Sequence, residues 1–104
     1  MERQTLPIAC SLTDAELRER RESVLQKAAA GLLEVQELEN GYRYHFPAED
    51  AWLHLLTDII NLERKCCAFL SFKLVVESDS DSFWLELTGP EGTKEVIKSL
   101  LNWN

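Results

Sequence analysis

The fold of this chain is decided by the stretch Asn40-Gly41-Tyr42-Arg43-Tyr44-His45-Phe46-Pro47, in which a turn pair precedes an alternating strand. An Asn-Gly pair flanked by alternating hydrophobic residues is the strongest short-range signal for a β-hairpin. Successive side chains of a strand point to opposite faces, so Tyr42, Tyr44 and Phe46 share one face and Arg43 and His45 share the other. The aromatic residues predict that the first of these faces is the core face.

The segment before the turn supplies the partner strand of this hairpin. A two-residue turn at the Asn-Gly pair predicts that Glu37 lies opposite Tyr44 and that Val35 lies opposite Phe46. The same alternation places Leu33 on the core face.

Three segments carry the spacing of amphipathic helices. The first begins at a capping box, Thr13-Asp14-Ala15-Glu16, and ends at Gly31. Within it, the mixed signs of Arg18-Glu19-Arg20-Arg21-Glu22 predict a solvated helix face. A second helix follows Pro47 and carries an apolar stripe from Trp52 to Phe69, and a short third helix spans residues 93–101.

A second hairpin is predicted between the last two helices, with strands at residues 72–77 and 83–88. The order of elements is then a helix followed by two β-hairpin–helix units. Such an order predicts an α+β fold in which an antiparallel four-stranded sheet packs against helices, with residues 1–104 forming a single domain.

Composition narrows the classes of function. The chain has 104 residues, is 45% hydrophobic and carries a net charge of −7, which is typical of one small globular domain. An acidic balance argues against binding to nucleic acid or to an anionic membrane surface. No apolar run reaches the ~20 residues that span a bilayer, and no signal peptide is recognisable. We therefore expect a cytoplasmic protein with reduced thiols.

The reactive side chains are concentrated in three cysteines, Cys10, Cys66 and Cys67. Three thiolates suit a soft metal or metalloid ion such as mercury or arsenic. Tetrahedral zinc needs a fourth ligand, for which His45, His54 and Glu63 are candidates that the spacing does not separate. Adjacent side chains on a helix point about 100° apart, so one ion can bind both Cys66 and Cys67 only if the helix frays or ends there.

Two other classes of function remain open at this stage. In the first, Cys67 is the nucleophile of a thiol-dependent redox enzyme, which requires a markedly depressed thiol pKa. Arg64 and Lys65 favour that thiolate, whereas the dipole at a helix C-terminus disfavours it. In the second, the chain is a protein-interaction module whose cysteines only fill space in the core.

The run Glu63-Arg64-Lys65-Cys66-Cys67-Ala68-Phe69-Leu70-Ser71-Phe72 resembles the E-R-x-C-C-x-F-x-x-F signature of small uncharacterised bacterial proteins. The resemblance extends over nearly the whole chain, including the segments 9–12, 40–47 and 87–92. Members of that family are often associated with heavy-metal resistance or metal-responsive regulators, and no enzymatic activity is attached to them. Many of these relatives carry a proline where this chain has Ala68.

Together, the residues and the resemblance predict a small protein that binds a soft metal or metalloid ion through Cys10, Cys66 and Cys67. We expect Glu63 and Arg64 to hold the end of the helix and to tune the thiols. No catalytic residue is assigned. Trp103 is expected either to form a homodimer contact or to fold onto the core.

Overall fold

The computed structural model describes residues 15–77, 82–101 and 103, without the side chains of Cys66, Ser82 and Leu100. The described residues form three helices and four strands in the order that the sequence predicts. They are α1 (Ala15–Gly31), β1 (Glu34–Leu38), β2 (Gly41–Pro47), α2 (Asp50–Cys66), β3 (Ser71–Val76), β4 (Ser82–Thr88) and α3 (Thr93–Leu101). The predicted end of the first helix at Gly31 is confirmed, whereas the capping box at Thr13 lies outside the described residues. The third helix has the predicted bounds.

The four strands form one sheet in the order β1-β2-β4-β3, and every neighbouring pair is antiparallel. Each hairpin contributes one edge strand and one central strand. The predicted α+β class, a helix followed by two hairpin–helix units around an antiparallel four-stranded sheet, is confirmed.

Apolar side chains on one face of the sheet form the core with the helices. Tyr42, Tyr44 and Phe46 of β2 are buried, as predicted, and they face the apolar stripes of the helices. The buried core residues are Val24, Leu25, Ala28, Tyr42, Tyr44, Phe46, Leu56, Ile59, Leu62, Phe83, Leu85, Leu87, Ile97, Leu101 and Trp103. The prediction for Leu33 is wrong, because this residue precedes β1 and is 59% exposed.

The opposite face of the sheet carries polar and aromatic side chains. Arg43 and His45 both pack on Trp84: the His45 ring stacks on the indole at 4.1 Å, and the Arg43 guanidinium carbon lies 4.0 Å from the ring centroid. Arg43 Nε also lies 3.6 Å from a carboxylate oxygen of Glu86. The alternation predicted for β2 is therefore confirmed on both faces.

The register of the first hairpin differs from the prediction by two residues. Leu38 pairs with Gly41, Glu37 pairs with Tyr42 and Val35 pairs with Tyr44, so the turn falls at residues 39–40. Because a shift of two residues preserves the alternation, the side chains within β1 and β2 keep their predicted faces.

Gly41 belongs to a strand for a steric reason. A Cβ atom at this position would lie 1.9 Å from the carbonyl oxygen of Leu87, where β2 meets β4. The glycine therefore permits the close approach of two backbones and does not occupy the turn that the Asn-Gly pair predicts.

The end of the described chain folds onto the core. Trp103 is buried, its indole Nε1 donates a hydrogen bond of 3.1 Å to the Leu25 carbonyl oxygen, and its ring packs edge-on against Tyr44. Of the two expectations for Trp103, the packing role is the one observed. No helix in the described part of the chain is long and apolar enough to cross a membrane.

Candidate thiol site at the end of α2

Helix α2 ends between the two adjacent cysteines. Cys66 is its last residue, and Cys67 follows as the C-cap with φ −118° and ψ 78°, outside the helical region. The Cys67 amide still donates to the Glu63 carbonyl oxygen, at 2.6 Å, and the Leu70 amide donates to the Cys67 carbonyl oxygen, at 3.0 Å. A short turn therefore leads directly into β3, and the condition under which one ion can bind both cysteines is met by the backbone.

The Cys67 thiol is fully buried and is not in a disulfide. Its pKa is raised from an ordinary value of 9.0 to about 11, and burial is the largest cause. The Glu63 carboxylate raises the pKa further, while the Arg21 guanidinium lowers it. The thiol is therefore neutral at physiological pH, which is opposite to the depressed pKa that a nucleophilic Cys67 requires.

Glu63 forms a buried ion pair with Arg21 of α1. Arg21 Nε donates to Glu63 Oε2 at 2.5 Å and Arg21 Nη2 donates to Oε1 at 2.8 Å, so the contact is bidentate. The Glu63 side chain is 1% exposed and that of Arg21 is 11% exposed. Burial lowers the Arg21 pKa, but the hydrogen bonds and negative charge of Glu63 outweigh it and raise the pKa above its ordinary value.

The two residues that were expected to tune the thiols, Glu63 and Arg64, have different surroundings in the structure. Glu63 lies beside Cys67 and raises the pKa of its thiol. Arg64 is exposed, and its Nε donates to the Asn61 side chain at 3.2 Å. The basic residue that lowers the Cys67 pKa is Arg21, from a different helix.

Sequence analysis missed Arg21 because it lies in a run of mixed charge. The structure corrects the prediction that residues 18–22 are all solvated: Arg20 is exposed, but Arg21 is largely buried. Its position was a usable signal, since Arg21 lies four residues after Leu17 and four before Leu25, within the apolar stripe of α1. A charged residue on a core-facing stripe indicates a buried partner.

The two long helices run antiparallel, which determines which ends meet. Arg21 pairs with Glu63 near the start of α1 and the end of α2, whereas Gly31 at the end of α1 packs against Trp52 near the start of α2. The N-terminal end of α1 therefore lies at the same end of the helix pair as Cys66 and Cys67. The chain that precedes α1 contains Cys10.

The two histidine candidates for a fourth ligand lie apart from this arrangement. His45 stacks on Trp84 on the far face of the sheet, and His54 is exposed on α2. Asp58, four residues after His54 on α2, forms an ion pair of 3.2 Å with Arg20. Among the described residues, no group of three or more His, Cys, Asp or Glu side chains is arranged to hold a metal ion. Cys10 and the Cys66 side chain lie outside that description.

The chain matches no protein-family model, and it has no significant match among curated proteins or among solved structures.

Proposed function

We propose that this protein binds a soft metal or metalloid ion through Cys66 and Cys67, with Cys10 as the third ligand, and that it sequesters or senses the ion in the cytoplasm without turnover. The observation that carries this proposal is the end of α2 between Cys66 and Cys67. Because the Cys67 backbone has left the helical conformation, the separation of about 100° between successive helical residues does not constrain this pair.

The antiparallel helix pair supports a role for Cys10. Cys10 lies only five positions before Ala15, the first described residue of α1. A peptide of that length spans at most about 18 Å in any conformation. Cys10 is therefore tethered to the end of the helix pair that also carries the adjacent cysteines.

The chemistry of the donors favours a thiophilic ion. Three thiolates suit mercury or arsenic better than a hard cation. Neither histidine is beside Cys67, and both carboxylate oxygens of Glu63 are engaged by Arg21, so a fourth ligand for tetrahedral zinc is not supplied by these residues. The proposal therefore places mercury and arsenic ahead of zinc. The resemblance of residues 63–72 to a signature associated with heavy-metal resistance points in the same direction.

Native mass spectrometry tests this proposal. Freshly reduced protein is mixed in turn with zinc, arsenite and mercuric ion, beside the single variants Cys10→Ser, Cys66→Ser and Cys67→Ser. Arsenite condenses with three thiols to give three As–S bonds and three waters, so we expect the mass of one arsenic atom minus three protons. Each variant should retain arsenic more weakly than the wild type.

Two results would count against a shared site. One is the absence of any stable adduct with the wild type, and the other is independent mercury labelling of each thiol. Equal retention by Cys10→Ser and wild type would remove Cys10 from the site. Circular dichroism of each variant separates lost binding from lost folding.

A second candidate is a protein-interaction module in which the cysteines are structural. It is favoured by the full burial of Cys67 and by the neutral form of its thiol. This hypothesis predicts that replacing all three cysteines with serine changes stability and nothing else, so that the wild type and the triple variant retain metal equally.

A further inference from the structure

Strand β3 is an edge strand whose outer side pairs with no strand of the described chain. Exposed edges present free backbone donors and acceptors, and natural proteins usually protect them with charged side chains, a proline or a bulge. The six residues Ser71–Val76 contain one charged residue, Lys73, and no proline. Val76 at the end of the strand is 52% exposed, although it is a large hydrophobic residue.

The charges along this edge are self-complementary. Lys73 lies within β3 and Glu77 follows the strand directly, and both side chains are exposed. Neither forms an ion pair with another residue in the part of the chain that the structure describes. Opposite charges four residues apart on a strand can pair with the same two charges of an antiparallel copy.

We infer that β3 is a homodimer edge, on which a second copy of this chain pairs antiparallel about a twofold axis at Val75. In this register Lys73 of each copy lies opposite Glu77 of the other, which gives two equivalent ion pairs. Leu74 of each copy likewise lies opposite Val76 of the other, on the face of the sheet that carries the core. The two sheets join into one sheet of eight strands.

Side-chain directions agree with this register. In an antiparallel pair, directly opposite residues point to the same face, and residues two apart along a strand share a face. Lys73 and Val75 lie opposite Glu86 and Trp84 of β4, on the face away from the core. Leu74 and Val76 lie opposite Leu85 and Phe83, on the core face. Charged residues thus meet charged residues, and apolar residues meet apolar residues.

The other edge of the sheet does not offer the same pairing. Strand β1 (Glu34–Leu38) contains two acidic residues and no basic one, so no antiparallel self-pairing sets opposite charges against each other. Its charges are also engaged within the chain, since Glu37 pairs with Lys94 at 2.5 Å and Glu34 lies 3.7 Å from His45. Of the two edges, β3 is therefore the one that fits a second copy. This inference does not depend on the thiol site.

Charge reversal with mixing tests the inference. Sedimentation velocity is measured under reducing conditions, so that disulfide cross-links do not contribute, over about 1 to 500 µM protein. We expect wild type to convert from monomer to dimer in this range. Lys73→Glu and Glu77→Lys should each raise the dimer dissociation constant by about tenfold or more, because each places like charges opposite each other twice.

Mixing the two single variants is the decisive experiment, because it restores opposite charges across the interface. Their heterodimer contains two attractive pairs, so an equimolar mixture should associate to within about threefold of wild type, as should the double variant K73E/E77K. Lys27→Glu on α1 makes the same change in net charge as Lys73→Glu, but at an exposed helix residue, and it serves as the control. Glu77→Lys makes the net charge less negative, so a general charge effect would strengthen its association.

Three outcomes would overturn the inference. They are a wild type that stays monomeric throughout the concentration range, single variants that dimerise as well as wild type, and a mixture that fails to recover association. Because Lys73 and Glu77 are exposed and far-UV circular dichroism verifies the fold of each variant, loss of association would not be confused with unfolding.

Discussion

Replacement of Arg21 with leucine should destabilise the protein severely. Arg21 donates two short hydrogen bonds to Glu63, and their side chains are only 11% and 1% exposed. Removing the arginine leaves a carboxylate that neither water nor another described side chain compensates. Breaking a buried pair in this way costs about 3–5 kcal/mol.

The neighbouring arginine supplies a matched control. Arg20 also joins α1 to α2, through Asp58, but these side chains are 57% and 46% exposed and one contact of 3.2 Å links them. Exposed pairs contribute about 0–1 kcal/mol, because water solvates both charges after the pair is broken. We therefore expect Arg20→Leu to lose less than about 1 kcal/mol.

Urea denaturation followed by circular dichroism measures both losses as free energies of unfolding. Arg21→Leu should remove a large part of the total, since native domains are stable by about 5–15 kcal/mol. A double variant, Arg21→Leu with Glu63→Leu, removes both charges together. It should lose less than the two single losses combined, with a coupling energy of at least about 2 kcal/mol.

The expected losses require both the burial and the pairing of Arg21 and Glu63, and two results distinguish these requirements. Equal losses for Arg21→Leu and Arg20→Leu would show that burial does not distinguish the two pairs. Additive losses in the double variant would show that Arg21 and Glu63 do not stabilise each other.

Further predictions concern Cys67, Gly41 and Trp103. The Cys67 pKa is raised from 9.0 to about 11, so the stability that the neutral thiol contributes is present below pH 9 and is lost as pH rises through 11. Urea titrations should show that wild type loses at most about 3 kcal/mol over this range relative to Cys67→Ala. Gly41→Ala drives a Cβ into the Leu87 carbonyl oxygen. We expect a loss of about 1–3 kcal/mol in urea titrations, and an unchanged stability would contradict this close approach of the two backbones. Trp103→Ala removes a buried indole and its hydrogen bond to the Leu25 carbonyl oxygen. The free energy of unfolding should fall by about 3–5 kcal/mol, measured by thermal denaturation. An unchanged melting temperature would contradict the observed packing.

The sequence predicts the types of the elements well, because each type has its own period. Period-2 alternation around Tyr44 and the helical spacing in residues 93–101 are local patterns, and the structure confirms both. The hairpin register is not local. Gly41 looks like a turn residue beside Asn40, but its contact with Leu87 comes from a strand more than forty residues away in sequence.

The candidate site shows the same contrast between local features, which the sequence predicts, and contacts between distant elements, which it does not. The cysteines at the end of a helix are readable from the sequence, and the end of α2 between them is now observed. The burial of Cys67 and the partner of Glu63 depend on how α1 packs on α2, which periodicity does not specify. A shared ion and the participation of Cys10 remain predictions.

The order of the strands has a consequence for how the chain reaches this structure. Each hairpin closes a short loop, but β2 and β4 meet across about 40 residues, from Gly41 opposite Thr88 to Pro47 opposite Ser82. Closing such a loop costs roughly 2–3 kcal/mol more entropy than closing a two-residue turn. We therefore expect the hairpins to form early, and the rate of folding to depend on their encounter along the centre of the sheet.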